Sequence, residues 1–491
     1  MKYRFDRRVE FLEDGRVLLG GEPTRLLRIS AAGAPTVNRW RHGGVDAQAE
    51  SPAAKRLIER LVDASMLHPQ VGERADPERA DRRADDRLDR LTVVVPVRDR
   101  VEPLRRCLAA LVASGIRHIV VVDDGSLDPA AHQAVATEVG AVFVRRGTSG
   151  GPAAARMTGW DALAWAGAVP GAGALVGFVD SDIAVDVGWL HPLLAHFDDE
   201  RVGLIAPRVL GAYGHGSLNH YELANSPLDL GDDPAAIVAG TRVAYVPAAA
   251  LLVRVEAFGA VDGFDTTLEV GEDVDLLWRL ADAGWRCRYE PTATVTHDGR
   301  STIGGMLRRR FDYGRSAALL DARHPHQLPP VRGSAWSLAV VVALLGGHPV
   351  VATGAAAWSW RGLTANLRPL NAAPVVAARL TLRGHLGLLR QLARATVRPW
   401  FPLTLLVAAF GRRRRRLLIA ALVLVAPTER YRQRRPLLHP VAWTALYLAD
   451  EVAYSAGVWV GCFRSRRIGP LLPEISGVKM PRGWRGRRRR D

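Results

Sequence analysis

The chain is poor in cysteine, in aromatic residues and in long unbroken apolar runs, and each shortage excludes something. Its three cysteines, Cys107, Cys287 and Cys462, lie far apart in 491 residues. That spacing argues against a disulfide framework and a cysteine-based zinc site, and fits a reducing compartment. Aromatic residues make up 7% of the chain and are not interleaved through the basic runs as a single-strand binder requires. No nucleic-acid partner is expected. Met1 to Asp14 is polar and charged, so no cleavable signal peptide is expected, and no internal repeat is visible.

What the chain does have is positive charge. Lys and Arg number 66 against 50 Asp and Glu, a formal +16, which favours phosphate esters or lipid headgroups as partners. The excess gathers towards the C-terminus, in Arg412 to Arg416, Arg430 to Arg435 and Arg485 to Arg490. The length suggests two to four domains.

Residues 1–70 read as a small module. Val17-Leu-Leu19 before Gly20-Gly21 and Arg25 to Ile29 read as strands, with Ser30 placed to cap the segment after it. Ala53 to Met66 puts Leu57, Ile58, Leu61 and Val62 on one helical face. So small a core suits a binding module better than an enzyme. The stretches Leu18 to Ser30 and Arg60 to Pro69 resemble the PqqD-like winged-helix domain of modified-peptide biosynthesis. That resemblance implies capture of a precursor peptide by strand addition. Residues 71–90 are nearly all Arg, Asp, Glu and Ala and read as a solvated linker or short exposed helix.

Residues 91–326 read as an α/β domain. Leu91 to Pro96 and Ile119 to Val122 are apolar strands joined by the helical pattern of Pro103 to Val112, a βαβ unit with a right-handed crossover. Asp123 and Asp124 stand at the second strand's carboxyl end. Gly147 to Arg156 is a glycine-rich turn into a helix, whose free N–H groups suit phosphate. Its spacing is neither a dinucleotide fingerprint nor a Walker loop. Val176 to Ile183 is an apolar strand ending in Asp180-Ser-Asp182. Ligands of open α/β sheets sit beyond such strand ends, although an isolated Asp-x-Asp is more often a helix cap.

The order of Val95-Pro-Val-Arg-Asp99, Val122-Asp-Asp-Gly-Ser126, Gly150-Gly151…Arg156, Asp180-Ser-Asp182, Gly263-Phe-Asp265…Gly271-Glu-Asp-Val-Asp275 and Tyr289…His297 resembles the inverting glycosyltransferases of family 2, with their GT-A fold of a mostly parallel sheet flanked by helices. The resemblance implies a UDP-sugar donor, UDP-glucose foremost, and a divalent metal, Mg²⁺ or Mn²⁺. It implies Asp182 as a metal ligand, Asp180 towards the ribose or the metal, and His297 as a metal ligand or phosphate contact. Asp99, Asp123 and Asp124 would serve the base and ribose, and Arg156 would face the same nucleotide. An inverting displacement needs a base opposite the leaving group, and Asp273 of the Glu272-Asp273 pair is the candidate. Read alone, these acids could simply begin a helix. The chain departs from the family at Arg98-Asp99, where Asn is usual, and at Thr148-Ser-Gly150, where Asn-x-Gly is often found. Taken whole, it resembles the glycosyltransferases of mycofactocin biosynthesis, which implies a peptide-derived acceptor or its precursor peptide. The rival expectation is a cell-envelope galactofuranosyl- or rhamnosyltransferase with a lipid-linked acceptor; a non-enzymatic scaffold is the third.

Residues 327–491 read as apolar and basic helices. Gly333 to Trp360 lacks Lys, Arg, Asp and Glu and is a candidate membrane span, though His348 and Pro349 interrupt it. Shorter runs at 399–411, 417–428 and 438–463 suit interfacial or re-entrant helices, or a soluble bundle. With basic clusters beside them, they point to the cytoplasmic face of the cell membrane. Arg308 to Arg310 close the catalytic domain, either towards the diphosphate, at the membrane, or on a solvated helix.

Overall fold

The computed structural model describes residues 1–71, 86–163, 173–299, 302–368 and 370–476. Much of the expected linker, and the arginines beyond 476, lie outside them. The chain forms two compact units, Met1–Ser301 and Thr302–Asp491.

In the first unit, strands β1 (Lys2–Phe5), β2 (Glu10–Leu12), β3 (Val17–Gly20) and β4 (Arg25–Arg28) precede helix α1 (Ala34–Gly43), strand β5 (Val45–Asp46), helix α2 (Pro52–Asp63) and strand β6 (Leu67–Gln70). They make two small antiparallel sheets, β5-β1-β6 and β2-β3-β4. Leu18, Val37, Trp40, Ile58, Leu61 and Leu67 fill the core beneath them. The apolar face read in Leu57 to Val62 is real, and Ser51 starts that helix by accepting from Ala54 N–H. Ser30 does not cap α1; its hydroxyl closes a turn onto Gly33 N–H instead.

The remaining elements of this unit are β7 (Leu91–Val97), α3 (Val101–Ala113), β8 (His118–Asp123), α4 (Pro129–Glu138), β9 (Val142–Arg145), α5 (Gly151–Asp161), β10 (Leu175–Val179) and β11 (Ile183–Val185). After them come α6 (Leu190–His196), β12 (Val202–Gly211), α7 (Ser217–Asn225), β13 (Ala235–Ala236), β14 (Ala250–Arg254), α8 (Val255–Ala260), α9 (Glu272–Asp282) and β15 (Arg286–His297). The main sheet runs β11-β15-β12-β14-β10-β7-β8-β9. Strands β9, β8, β7 and β10 are parallel, whereas β14 is antiparallel to both neighbours and β12 pairs parallel with β15. The sheet is thus mixed, with its run of four parallel strands on the side that carries the acidic turns. Near-continuous Val and Leu in β7, β8 and β10 reflect burial on both faces.

The small module is tied to this domain by charge. Arg286 of β15 meets Asp199 at 2.5 Å and Glu59 and Asp63 of α2 at 2.6 Å each. At another point Arg7 reaches Asp233 at 2.7 Å.

The second unit is helical: α10 (Ile303–Arg323), the short strand β16 (Arg332–Ser334), α11 (Ala335–Gly346), α12 (Pro349–Asn366), α13 (Ala373–Val397), α14 (Phe401–Ala409), α15 (Arg413–Arg434), α16 (Pro440–Ser465) and strand β17 (Glu474–Ser476). The helix with Arg308 to Arg310, expected to close the catalytic domain, belongs here, and Arg310 pairs with Asp450 at 2.5 Å. Helices α10 and α16 meet backbone to backbone: a Cβ on Gly457 would lie 2.0 Å from the Phe311 carbonyl oxygen, and one on Gly314 2.1 Å from that of Tyr454. The acids that break the 438–463 run are buried and paired, Asp450 as above and Glu451 with Arg398 at 3.0 Å. The continuous span expected over 333–360 does not form. Gly347 takes φ +80 after α11, and the chain turns back so that the rings of Trp336 and Trp358 lie 6.1 Å apart, tilted by 41°. No described helix is long and apolar enough to cross a membrane.

Candidate active site

The site is built where β8, β7 and β10 end side by side. Because these neighbours are parallel, their carboxyl ends deliver Asp123 and Asp124, Arg98 to Arg100, and Asp180 to Asp182 to one edge of the sheet. The β11–β15 register sets Ile183 opposite His297. It thereby puts His297 Nε2 3.4 Å from Asp182 Oδ1. The other oxygen, Asp182 Oδ2, accepts from Arg100 Nη1.

Asp180 turns the other way. Its backbone N–H donates to Ala249 O at 2.8 Å, and its Oδ1 accepts from Arg156 Nη2 at 2.6 Å. Arg156 Nη1 donates to Glu272 Oε1 at 2.9 Å. Only 3% of Arg156 is exposed, and its guanidinium lies enclosed between these two acids. Burial opposes its charge, but Asp180 and Glu272 more than offset that and keep it protonated.

Helix α9 starts from Gly271, whose φ of +89 suits glycine, and places three acids in its first turn. Glu272 is held by Arg156, and buried Asp275 by Arg279 at 2.8 Å. Half-buried Asp273 instead accepts backbone N–H bonds, from Val274 at 2.8 Å and Ala248 at 3.2 Å. Burial, reinforced by the charge of Glu272, raises its pKa to about 7. That is the range for a general base at neutral pH.

Asp123 is fully buried, with Oδ1 accepting from Ser126 N–H at 3.0 Å. Asp124 spends both oxygens on the glycine-rich turn and its surroundings. Oδ1 accepts from Arg146 Nε at 2.8 Å and Gly150 N–H at 3.0 Å. Oδ2 accepts from Ser149 Oγ at 2.7 Å and Gly151 N–H at 2.9 Å. Burial would raise its pKa, but these hydrogen bonds and Arg146 hold it below the usual carboxylate range. Of the N–H groups expected to be free for phosphate, those of Gly150 and Gly151 are therefore engaged by Asp124. Asp99 sits at φ +54, rare for a residue other than glycine, and its Oδ1 accepts from Leu127 N–H at 2.8 Å. It is the acid of this side that remains exposed. Sequence reasoning missed Arg100 and Arg146; Glu272 it named only as the partner of Asp273 in the candidate pair, without its contact to Arg156.

Asp182 and His297 form an oxygen–nitrogen donor pair. No group of three or more His, Cys, Asp or Glu suited to a metal occurs among the described residues. A carboxylate with an imidazole would suit a divalent cation that completes its coordination with substrate phosphates, the carboxylate for Mg²⁺ or Mn²⁺ and the imidazole for a transition metal.

The glycosyl transferase family 2 model matches residues 92–258, the segment that supplies these strand ends. Pre-mycofactocin glycosyltransferase of Mycobacterium tuberculosis, strains CDC 1551 and H37Rv, is 36% identical over 483 residues, covering 96% of this chain and 97% of the relative. The chain therefore belongs to the family 2 glycosyltransferases, within the group of that full-length relative. N-acetylglucosaminyl-diphospho-decaprenol L-rhamnosyltransferase of the same organism is 44% identical over 63 residues, 13% of this chain and 20% of that one. The solved structure of GalNAc-T7 with UDP, GalNAc and Mn²⁺ covers 49% of this chain and 50% of its own, at a TM-score of 0.34 and 16% identity, too distant a likeness to bear on function.

Proposed function

We propose that this glycosyltransferase moves a hexose, glucose foremost, from a UDP-sugar to a hydroxyl of a peptide-derived acceptor with inversion at the anomeric carbon. The observation that carries this reading is Arg156, which joins Asp180 of the diphosphate side to Glu272 beside Asp273. The acceptor oxygen attacks the anomeric carbon, and the bond from that carbon to the diphosphate breaks. Asp273 takes the hydroxyl proton, and UDP leaves with the bonding pair. Asp182 and His297 would hold Mg²⁺ or Mn²⁺, which supplies charge neutralisation for the departing diphosphate. Exposed Asp99 is the remaining candidate for the base or ribose. Asp123 and Asp124 support the loop that frames them.

The acceptor class rests on the full-length similarity to a pre-mycofactocin glycosyltransferase. The end strand β4 of the small β2-β3-β4 sheet is a natural edge for an added peptide strand. Incubating the purified protein with several UDP-sugars, Mn²⁺ and either peptide-derived or lipid-linked acceptors, then weighing the products, tests both. Stepwise hexose additions to the peptide-derived acceptor support the reading. Additions confined to the lipid-linked acceptor would replace it with the envelope transferase that the 63-residue rhamnosyltransferase similarity favours. UDP-sugar left intact under all conditions would favour a scaffold.

The reading includes attachment at the cytoplasmic face of the membrane. Helix α14 buries none of its residues, and Leu405, Leu406 and Phe410 are exposed beside Arg412 to Arg416. Such a pairing of apolar surface and arginine suits an anionic bilayer. Co-sedimentation with phosphatidylglycerol vesicles that is lost in Leu406→Glu/Phe410→Glu is the expected result; full recovery of the wild type in the supernatant would refute it.

A further inference from the structure

One ion pair in the site is not used by the chemistry above. Arg100 begins α3 directly after the turn at Asp99, and its Nη1 lies on Asp182 Oδ2. Its neighbour Arg98 is turned away to Ser149 Oγ at 3.1 Å. The side chain of Arg100 is 41% exposed while that of Asp182 is 10% exposed, so the guanidinium reaches in from solvent onto a carboxylate that is largely enclosed. The opposite oxygen, Oδ1, faces His297 at 3.4 Å. A carboxylate in this position can be neutralised by the guanidinium or by a divalent cation. Two cations on one small anion repel each other strongly at such distances.

We propose that Arg100 is a positioning residue that occupies Asp182 as a counter-ion until the divalent cation takes its place, and so sets how much cation the enzyme needs. This rests on the metal reading of Asp182 and His297. The arginine keeps Asp182 oriented while the site waits, and the cation must displace it. The apparent cation affinity is then the intrinsic affinity multiplied by the fraction of molecules in which Asp182 is unpaired. An exposed donor suits this role because its guanidinium can return to solvent while the cation takes over the enclosed Asp182. Nothing in the helix requires the contact, since Arg100 makes no side-chain cap to α3.

The test is direct Mn²⁺ binding without any sugar nucleotide, read by electron paramagnetic resonance of free Mn²⁺, for the full-length wild type, Arg100→Gln, Arg100→Lys and Asp182→Asn. We expect Arg100→Gln to bind Mn²⁺ about three- to tenfold more tightly than wild type, with Arg100→Lys between them and Asp182→Asn losing the site. Thermal melting adds a second readout. Arg100→Gln should melt at or slightly below wild type without metal, yet gain more from the same excess of Mn²⁺, because a tighter ligand stabilises more at equal concentration. A purely structural role for Arg100 would lower melting without tightening Mn²⁺. Equal or weaker Mn²⁺ binding by Arg100→Gln, with Asp182→Asn still abolishing it, overturns the inference and leaves the metal reading intact. Mn²⁺ binding unchanged in Asp182→Asn removes the metal reading and the inference with it.

Discussion

Arg156 donates to Glu272 at 2.9 Å across 116 positions of sequence, and with its other nitrogen to Asp180 at 2.6 Å. A single buried guanidinium thus sets the distance between the acid of the strand end and the acid pair that opens α9. Removing it strands two carboxylates that were neutralised in place. Arg156→Met should destabilise the protein by about 3–5 kcal/mol, measured by denaturant unfolding, and abolish transfer. Wild-type stability with normal turnover would show that the acids are held by other means.

Asp273→Asn keeps the shape of the side chain but removes the proton acceptor. Loss of a general base costs about 10²–10⁴-fold in rate, so kcat should fall by that factor while UDP binding, followed by calorimetry, survives. Near-normal turnover would remove Asp273 from the role.

The raised pKa of Asp273 makes two statements about pH. The carboxylate is the active form, so kcat/KM should rise with pH through about 7. For stability the sign is opposite. Between the ordinary carboxyl range and about 7, the native state binds a proton that the unfolded state has released, so stability from this group falls as pH rises through that window. Glu272→Gln removes a charge that pushes the pKa up, and should move the acid limb of the rate profile down by on the order of one pH unit. An unmoved or raised limb would show that Asp273 does not govern it.

In the helical unit, Gly457 leaves room for the Phe311 carbonyl and no more. Gly457→Ala should force α10 and α16 apart and cost about 1–3 kcal/mol, visible as earlier melting. A neutral result would mean that the two helices shift apart without penalty.

The parts of this protein that are local in sequence are legible in it. Apolar runs give β7, β8 and β10, helical spacing gives α2 and α3, and doubled acids after strands mark where the site lies. Periodicity and turn chemistry act over a few residues, so they can be read without knowing what lies across the fold. The family resemblance, carried by six short motifs in order, adds the chemistry.

What side chains do with one another is not legible. Asp124 reads as a nucleotide contact because its place in the motif is visible; its four hydrogen bonds to Arg146, Ser149, Gly150 and Gly151 are not. Asp450 and Glu451 look like interruptions of an apolar run, yet each is buried against an arginine distant in sequence. The run at 333–360 has the composition of a span, but a left-handed glycine folds it into a hairpin.

By itself, then, the sequence determined the strands, their acidic ends and the class of reaction they serve, because those depend on residue type and short spacing. Only the tertiary structure decided which charges neutralise which. Arg156 became a buried brace between Asp180 and Glu272, Asp124 a fastening for the glycine turn, and Arg100 the partner of Asp182. Ion-pair choice is set by three-dimensional proximity and burial, and no local pattern encodes either.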